Sequence, residues 1–231
     1  MRGKSKSRSL AKCLSFLFLA SSLLAGSSQG AAGEPGEEAH VIESLQKSYD
    51  SAVDFVADFQ QETELKTLTR SLKGWGKLYF KRPGRMLWRY DEPKGQFVLA
   101  DGKSLYYYQP GQGQVMKSPL KNAFRSDIPL SFLLGIGNLK KDFTVSLKDM
   151  EQGHYVLQLG PKGELGGVGE ILLGVDRDSF SILWSRIRDA ARNVTTIRFS
   201  NMRKGTGLKD SLFRLQLPEG VDVIELGSLS P

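Results

Sequence analysis

Few residues in this chain could act as a nucleophile or a general base. The chain has one cysteine, Cys13, and two histidines, His40 and His154. A cysteine thiolate is a nucleophile and a histidine exchanges protons near neutral pH, but catalysis needs a partner group held beside either one. Neither histidine has a nucleophile or a carboxylate pattern near it in the sequence, so we expect both at the surface. The sequence predicts no enzyme active site.

Two further patterns could bind a ligand. Asp176 and Asp178 flank Arg177 in a D-x-D pair, whose carboxylates could hold a divalent cation. A turn at the end of a strand explains the pair at least as well, and no third ligand motif accompanies it. The glycines between Gly163 and Gly169 lack the strand-to-helix spacing of a phosphate-binding loop. We expect a hairpin loop there, and neither a metal nor a cofactor in the protein.

The N-terminus has the composition of a secretory signal peptide. Five basic residues among the first 12 precede the apolar run Leu14 to Ala25, and the small residues Gly26 to Ala32 follow. The run is shorter than the roughly 20 residues of a membrane-spanning helix. We therefore expect residues 1–32 to be removed on export, Cys13 with them, and residues 33–231 to form a single soluble domain in a Gram-negative periplasm.

Cleavage of this segment changes the charge balance. The whole chain has a formal net charge of +7, and the loss of five basic and no acidic residues lowers it to +2. A nucleic-acid-binding protein needs a basic stripe on its folded surface, and the remaining sequence has only short basic clusters. We expect no nucleic-acid partner and a monomeric protein.

Short strands dominate the remaining chain. Alternating apolar residues and Pro-Gly or Asp-Gly turns predict six strands between Phe55 and Lys117. Six more are predicted between Phe143 and Leu217, the last of them at Ser211 to Leu217. The pattern predicts a mainly β (α+β) protein with a curved antiparallel sheet of about 11 to 12 strands.

Two helices should accompany the sheet. The first is predicted from about Glu37 to Ser51, with apolar residues at four-residue spacing on one side. The second begins near Asp127 and ends at Gly135, and its residues are apolar nearly all round. Such a helix must lie against the sheet or a partner, and the concave face of a curved sheet is the available place.

Alternate residues of two neighbouring strands should line this concave face. On the residues alone, a packed core is the simpler interpretation of such a face. Arg82 favours a cavity, because a cation is costly in a dry core unless it is hydrogen-bonded, whereas it suits the mouth of a cavity. The residues of shared parity are Leu78, Phe80 and Arg82 on one strand, and Met86, Trp88 and Tyr90 on the next.

The order of short motifs along the chain resembles the LolA family, the periplasmic carriers of outer-membrane lipoproteins. No single motif is specific, but their order is, and together they cover nearly all of residues 33–231. The matching segments are DFQQE (Asp58 to Glu62), the RPG triplet (Arg82 to Gly84) followed by Met86 and Trp88, the Asp101-Gly102 turn, Gln114-Val115, IPLSFLLG (Ile128 to Gly135) and FRLQLPEGVDVIEL (Phe213 to Leu226).

The resemblance implies an unclosed antiparallel β-barrel under a helical lid, with an apolar cavity between them that takes up lipoprotein acyl chains. It implies that Arg82 holds the lid shut by hydrogen bonds to the lid backbone. The lid would be the first helix together with Leu120 to Leu139. The cavity candidates are Leu45, Leu78, Phe80, Met86, Trp88, Tyr90, Leu105, Tyr107, Leu130, Leu133 and Leu134.

The resemblance also implies two partners besides the lipoprotein. An ATP-driven inner-membrane complex would load the cavity, and an outer-membrane lipoprotein receptor would unload it. Two alternatives stay open at this point: a carrier of another lipid or glycolipid, and a module that senses mislocalised lipoproteins. The sensor is the weaker of the two, because such proteins usually have a second domain and residues 33–231 leave no length for one.

Overall fold

The structure of the protein, a computed structural model, describes residues 35–67, 70–120, 139–162, 168–217 and 219–226. These residues form helix α1 (Pro35–Asp50), a short helix α2 (Leu139–Asp142), a 3₁₀ helix (Asp210–Phe213) and twelve strands in one sheet. The strands are β1 (Asp54–Glu64), β2 (Ser71–Lys81), β3 (Arg85–Glu92), β4 (Phe97–Asp101), β5 (Ser104–Tyr108), β6 (Gln114–Pro119), β7 (Phe143–Glu151), β8 (His154–Pro161), β9 (Val168–Val175), β10 (Ile182–Asp189), β11 (Val194–Lys204) and β12 (Asp222–Glu225).

The sheet consists of two antiparallel meanders joined side by side. Strands β1 to β6 pair in sequence order, strands β7 to β11 do the same, and β1 pairs with β11 along its length. The joint runs from Phe55 opposite Lys204 to Glu64 opposite Val194. Among the described residues β7 and β12 are the two edges, so the sheet is unclosed. The predicted mainly β, unclosed fold is confirmed.

Helix α1 lies on the concave face of this sheet. Acidic Glu37 and Glu38 in its first turn and Lys47 in its last turn suit the helix dipole. Its apolar side includes Val41, Leu45 and other buried residues, which join one core cluster with the inward-facing residues of the strands. The predicted first helix is therefore present, with its ends within two residues of those expected.

The convex face has a smaller apolar cluster of its own. It contains Leu99, Tyr106 and Val115 from the sheet, and Phe213 from the 3₁₀ helix, which packs against β3 and β4. The predicted strand at Ser211 to Leu217 is therefore wrong. Its alternating apolar residues do face a sheet, but they cover the outer surface of the sheet rather than extend its edge.

The last strand differs from the prediction in direction as well as in position. Strand β12 pairs with β6 in parallel, Asp222 opposite Gln114, and Lys117 and Glu225 form an ion pair of 2.7 Å beside it. The sheet is thus antiparallel except at this edge. Parallel pairing of a four-residue segment across roughly a hundred residues leaves no local signal in the sequence.

Some predictions fall on residues that the structure does not describe. The second helix, from Asp127 to Gly135, lies outside the described residues, as does most of the glycine-rich loop, of which only residues from Val168 onward are described, as part of β9. In the described ranges no helix has both the length and the apolar character needed to cross a membrane.

Candidate functional site

The concave face brings most of the predicted lining residues together. Seven of them belong to one buried cluster with α1, and Tyr107 is half-buried on the same side of β5. The remaining three, Leu130, Leu133 and Leu134, lie outside the described residues. The seven are Leu45, Leu78, Phe80, Met86, Trp88, Tyr90 and Leu105.

The register of β2 and β3 explains why these side chains meet. Leu78 lies opposite Trp88 and Phe80 lies opposite Met86, so the alternate inward residues of both strands stack in rows. The Trp88 indole Nε1 donates a hydrogen bond of 2.8 Å to the Met86 sulfur, which satisfies the only polar hydrogen of that side chain inside the cluster. The parity predicted from the sequence is the parity of burial in the structure.

In this arrangement the apolar face is covered. Phe80 and Met86 are 0% exposed, and the rings of Phe55 and Phe80 stack with centroids 4.8 Å apart. A cavity of only about 10 Å³ lies between the last turn of α1 and the sheet, beside Tyr49, Phe55 and other residues. The space between the last turn of α1 and the sheet is therefore too small for an acyl chain unless α1 moves.

Arg82 lies at the end of β2 and contacts the last turn of α1. Its Nη2 atom donates hydrogen bonds to the carbonyl oxygen of Tyr49 at 3.0 Å and to the Asp50 carboxylate at 2.9 Å. The free carbonyls at a helix C-terminus favour a cation there. This contact to the α1 backbone is the kind that the resemblance implies for Arg82, whereas its role in closing a lid stays a prediction. The segment from Leu120 to Leu139 lies mostly outside the described residues.

A second cation holds the same end of α1 from the other side. Lys204, at the end of β11, donates a hydrogen bond of 2.8 Å to the Ser48 hydroxyl, which in turn donates to the carbonyl of Ser179 at 3.2 Å. Burial lowers the pKa of Lys204. Strands β2 and β11 lie on either side of β1. Arg82 from the first and Lys204 from the second therefore both contact the last turn of α1.

Two further hydrogen bonds attach α1 to strand β7 and to the short helix α2. Glu38 accepts a hydrogen bond of 2.9 Å from the backbone N–H of Leu147 in β7, and Gln46 accepts one from the backbone N–H of Leu139 at 2.9 Å. Sequence reasoning misses these contacts, because the partners lie roughly a hundred residues apart and polar helix residues have no recognisable pairing pattern.

Asp176, His40 and His154 come from three different segments of the fold. Asp176 accepts hydrogen bonds from the backbone N–H and the hydroxyl of Ser179, both at 2.8 Å, and these bonds lower its pKa. His40 is exposed on α1 and His154 is half-buried at the start of β8. In the part of the chain that the structure describes, no group of three His, Cys, Asp or Glu residues could hold a metal ion.

A separate cavity among the described residues has a mostly charged lining. It has a volume of about 680 Å³ and opens at the ends of β1, β10 and β11 that lie farthest from Arg82. Its charged walls do not match the apolar cavity predicted from the sequence. The charged lining residues are Glu62, Glu64, Lys66, Arg70, Arg188 and Arg192.

Known proteins resemble this chain in sequence over most of its length. Residues 50–216 match the family model described as "Outer membrane lipoprotein carrier protein LolA". An outer-membrane lipoprotein carrier protein of Methylococcus capsulatus is 33% identical over 181 residues, which is 78% of this chain and 86% of that protein. The protein of the same name from Nitrosomonas europaea is 30% identical over 187 residues, 81% of this chain and 90% of its own length.

Solved structures share the fold at much lower sequence identity. An uncharacterized conserved protein from Thermus thermophilus superimposes with a TM-score of 0.52 at 12% identity, covering 81% of this chain and 98% of that one. A DUF1329 family protein from Desulfovibrio piger gives a TM-score of 0.51 at 17% identity over 76% of this chain and 96% of its own. These structures show the fold alone. The sequence matches show the family: the chain belongs to the LolA family of outer membrane lipoprotein carrier proteins.

Proposed function

We propose that this protein carries lipoproteins by holding their acyl chains against the concave apolar face beneath α1. The observation that supports this most is the covered apolar face itself, with a helix attached over it by polar contacts that can be broken and remade. Membership of a family named for lipoprotein carriers supplies the identity of the cargo.

The physical need for such a carrier follows from the cost of exposing acyl chains to water. Each buried methylene contributes about 0.8 kcal/mol, so the two or three chains of a lipoprotein represent tens of kcal/mol. A lipoprotein therefore does not cross an aqueous compartment unaided. A carrier that kept the whole of this energy would not release its cargo, so part of it must be used to open the protein.

In this protein the closed state supplies that opposing free energy. When α1 is closed, its own apolar residues, including Val41 and Leu45, occupy the face that acyl chains would cover. Loading exchanges these contacts, together with the Arg82 and Lys204 hydrogen bonds, for contacts with the acyl chains. On release the protein regains them. The result is weak, reversible holding of a very apolar ligand.

The rest of the transport route is part of the same proposal. Residues 1–32 act as a signal peptide, and residues 33–231 work as one soluble domain in the periplasm. An ATP-driven complex in the inner membrane loads the protein, and a receptor in the outer membrane unloads it. The protein needs no cofactor and catalyses no reaction, because its role is to receive a lipoprotein from one partner and pass it to the other.

The first experiment is native mass spectrometry, with lipid extraction, on residues 33–231 purified from the periplasm of the cells that produce it. A triacylated protein bound one to one is the expected result. The same protein should then transfer a synthetic triacylated lipopeptide from donor to acceptor vesicles. A single class of free lipid in the purified protein, with no lipopeptide transfer, would overturn the proposed cargo.

A further inference from the structure

The concave face changes character towards the end that lies farthest from Arg82. There the inward side chains from β1 and from β3 to β5 are uncharged and carry polar groups, whereas Ile197 of β11, opposite Gln61, is still apolar. We call these four residues the polar row: Gln61 of β1, Tyr90 of β3, Gln96 just before β4, and Tyr107 of β5. Each shares the inward parity of its strand with residues of the apolar cluster, such as Phe59, Trp88, Val98 and Leu105.

Two glycines of β2 allow the Tyr90 side chain of β3 to contact Gln61 of β1. Gly74 and Gly76 occupy inward positions of β2, between β1 and β3. A Cβ atom on Gly76 would lie 2.0 Å from the Arg89 carbonyl oxygen, and one on Gly74 would lie 3.2 Å from the Tyr90 ring. The missing side chain of Gly76 thus allows the β3 backbone to approach closely, and that of Gly74 leaves room for the Tyr90 ring. The ring lies across β2, and its hydroxyl donates a hydrogen bond of 2.8 Å to Gln61 Oε1.

The two phenols of the row remain protonated hydrogen-bond donors. Burial and, to a smaller extent, proximity to Tyr107 raise the pKa of Tyr90 to about 12, although a hydrogen bond with Gln96 acts in the opposite direction. Burial likewise raises the pKa of Tyr107. Gln96 is only 8% exposed. The row therefore presents hydroxyl and amide groups in a partly desolvated place, with no charge of its own.

The row also has hydrogen-bonding capacity to spare. Within the described ranges, neither the Tyr107 hydroxyl nor the Gln61 Nε2 atom has a hydrogen-bond partner. Neither atom is fully buried, because among the described residues the buried side-chain N and O atoms without a partner are Arg82 Nε and Ser185 Oγ. A ligand on the apolar face could thus be met at this end by free N–H and O–H donors.

We propose that the polar row binds the ester and amide carbonyls through which acyl chains are attached to a lipidated cysteine. This rests on the proposed function and adds a recognition site to it. A chain lying on the apolar cluster has one end at the boundary with the row, and a carbonyl placed there needs a donor, because an unpaired buried acceptor is costly. An ionised fatty acid fits less well, since the row offers its carboxylate no cation.

The test compares ligands that differ only at this end. The ligands are a peptide bearing N-palmitoyl-S-dipalmitoylglyceryl cysteine, and a fluorescent alkane of similar chain length without carbonyl groups. The variants are Tyr90→Phe, Tyr107→Phe and the double substitution, each of which removes only a hydroxyl. Tyr106→Phe is the matched control, because Tyr106 is the neighbour of Tyr107 on the convex face, where it donates to Asp101.

We expect each row substitution to weaken lipopeptide binding about fivefold, and the double variant about twentyfold or more, as for the loss of ordinary hydrogen bonds. Alkane binding should stay within twofold of wild type, and Tyr106→Phe should change neither. Wild-type protein that does not bind the lipopeptide would overturn the proposed function. Wild-type binding with an unaffected double variant, or equal losses for both ligands, would overturn the polar row alone.

A structural effect of Tyr90→Phe can be separated from a binding effect. The Tyr107 hydroxyl has no partner within the described residues, so Tyr107→Phe should leave the midpoint of thermal unfolding unchanged. This single variant therefore decides the question if the Tyr90 substitution weakens folding. A Tyr107→Phe protein of normal stability that binds the lipopeptide as wild type does would count against the proposal.

Discussion

Replacing Arg82 with leucine should make the carrier hold its cargo too tightly. The substitution removes both hydrogen bonds from Nη2 to the last turn of α1, at 2.9 and 3.0 Å, and leaves the backbone bond from Arg82 N–H to the Val53 carbonyl in place. Uptake of acyl chains should persist, because the apolar face is unchanged. Release should suffer, because the closed state that competes with the cargo has lost part of its stability.

The magnitude follows from the exposure of the two partners. The side chains of Arg82 and Asp50 are 31% and 55% exposed, so their ion pair contributes at most about 1 kcal/mol. The bond to the Tyr49 carbonyl adds about 1 kcal/mol. A closed state weakened by about 1 to 2 kcal/mol raises the apparent affinity for the ligand five- to thirtyfold, because less free energy is needed to open the protein.

The assay is the rate at which a fluorescent triacylated lipopeptide leaves the protein for acceptor vesicles. We expect release from Arg82→Leu to be five- to thirtyfold slower than from wild type, with tighter binding at equilibrium. Arg85→Leu is the matched control, since Arg85 lies in the same hairpin but faces Asp210 at 3.6 Å on the convex side. Release from Arg82→Leu at the wild-type rate, or faster, would refute the proposal that the Arg82 hydrogen bonds stabilise the closed state.

Three further predictions concern the face and its supports. Met86→Glu places a carboxylate in the apolar cluster and should abolish loading. The protein should still fold, because opening of α1 can admit water to the carboxylate. A variant that circular dichroism shows to be unfolded would mean that the face is a permanent core. Asp54 is buried, which opposes ionisation, but hydrogen bonds from Thr206 and Leu208 outweigh this and hold its pKa below the ordinary 3.8. The stability that its charge contributes should be complete above pH 4 and lost as the pH falls below it, so the difference in unfolding free energy from Asp54→Asn should shrink in urea melts at low pH. Gly76→Ala should cost about 3 kcal/mol or more, because its Cβ would meet the Arg89 carbonyl oxygen, whereas Gly36→Ala in α1, with nothing within 4 Å, should be neutral or slightly stabilising in the same melts.

Strand parity is the part of this fold that the sequence predicts well. The alternation of Leu78 and Phe80, and of Met86 and Trp88, identifies the buried side of both strands, because a half-buried strand repeats every two residues and one side must avoid water. Arg82 could be identified as an unusual member of that face, but its partners on α1 could not, since nothing local relates it to Tyr49.

The sequence-based predictions fail for contacts between residues that lie far apart along the chain. The alternation of Phe213 with its neighbours correctly indicates an apolar side, yet the segment packs on the convex face with Leu99 and Tyr106 and pairs with no strand of the described sheet. The reach of Tyr90 across β2 to Gln61 also escapes sequence reasoning, since it depends on two glycines whose role appears only once the strands are in register.

The pairing of β1 with β11 also sets an order for folding. Phe55 and Lys204 lie roughly 150 residues apart, and the chain-length term for closing such a loop is about 4 kcal/mol. The first strand cannot find its second neighbour until nearly the whole polypeptide is available, and contacts this distant slow folding. Under the proposed export of this protein, a sheet that cannot be completed before its last fifth emerges leaves the chain unfolded for longer, which is the state that a translocation channel accepts.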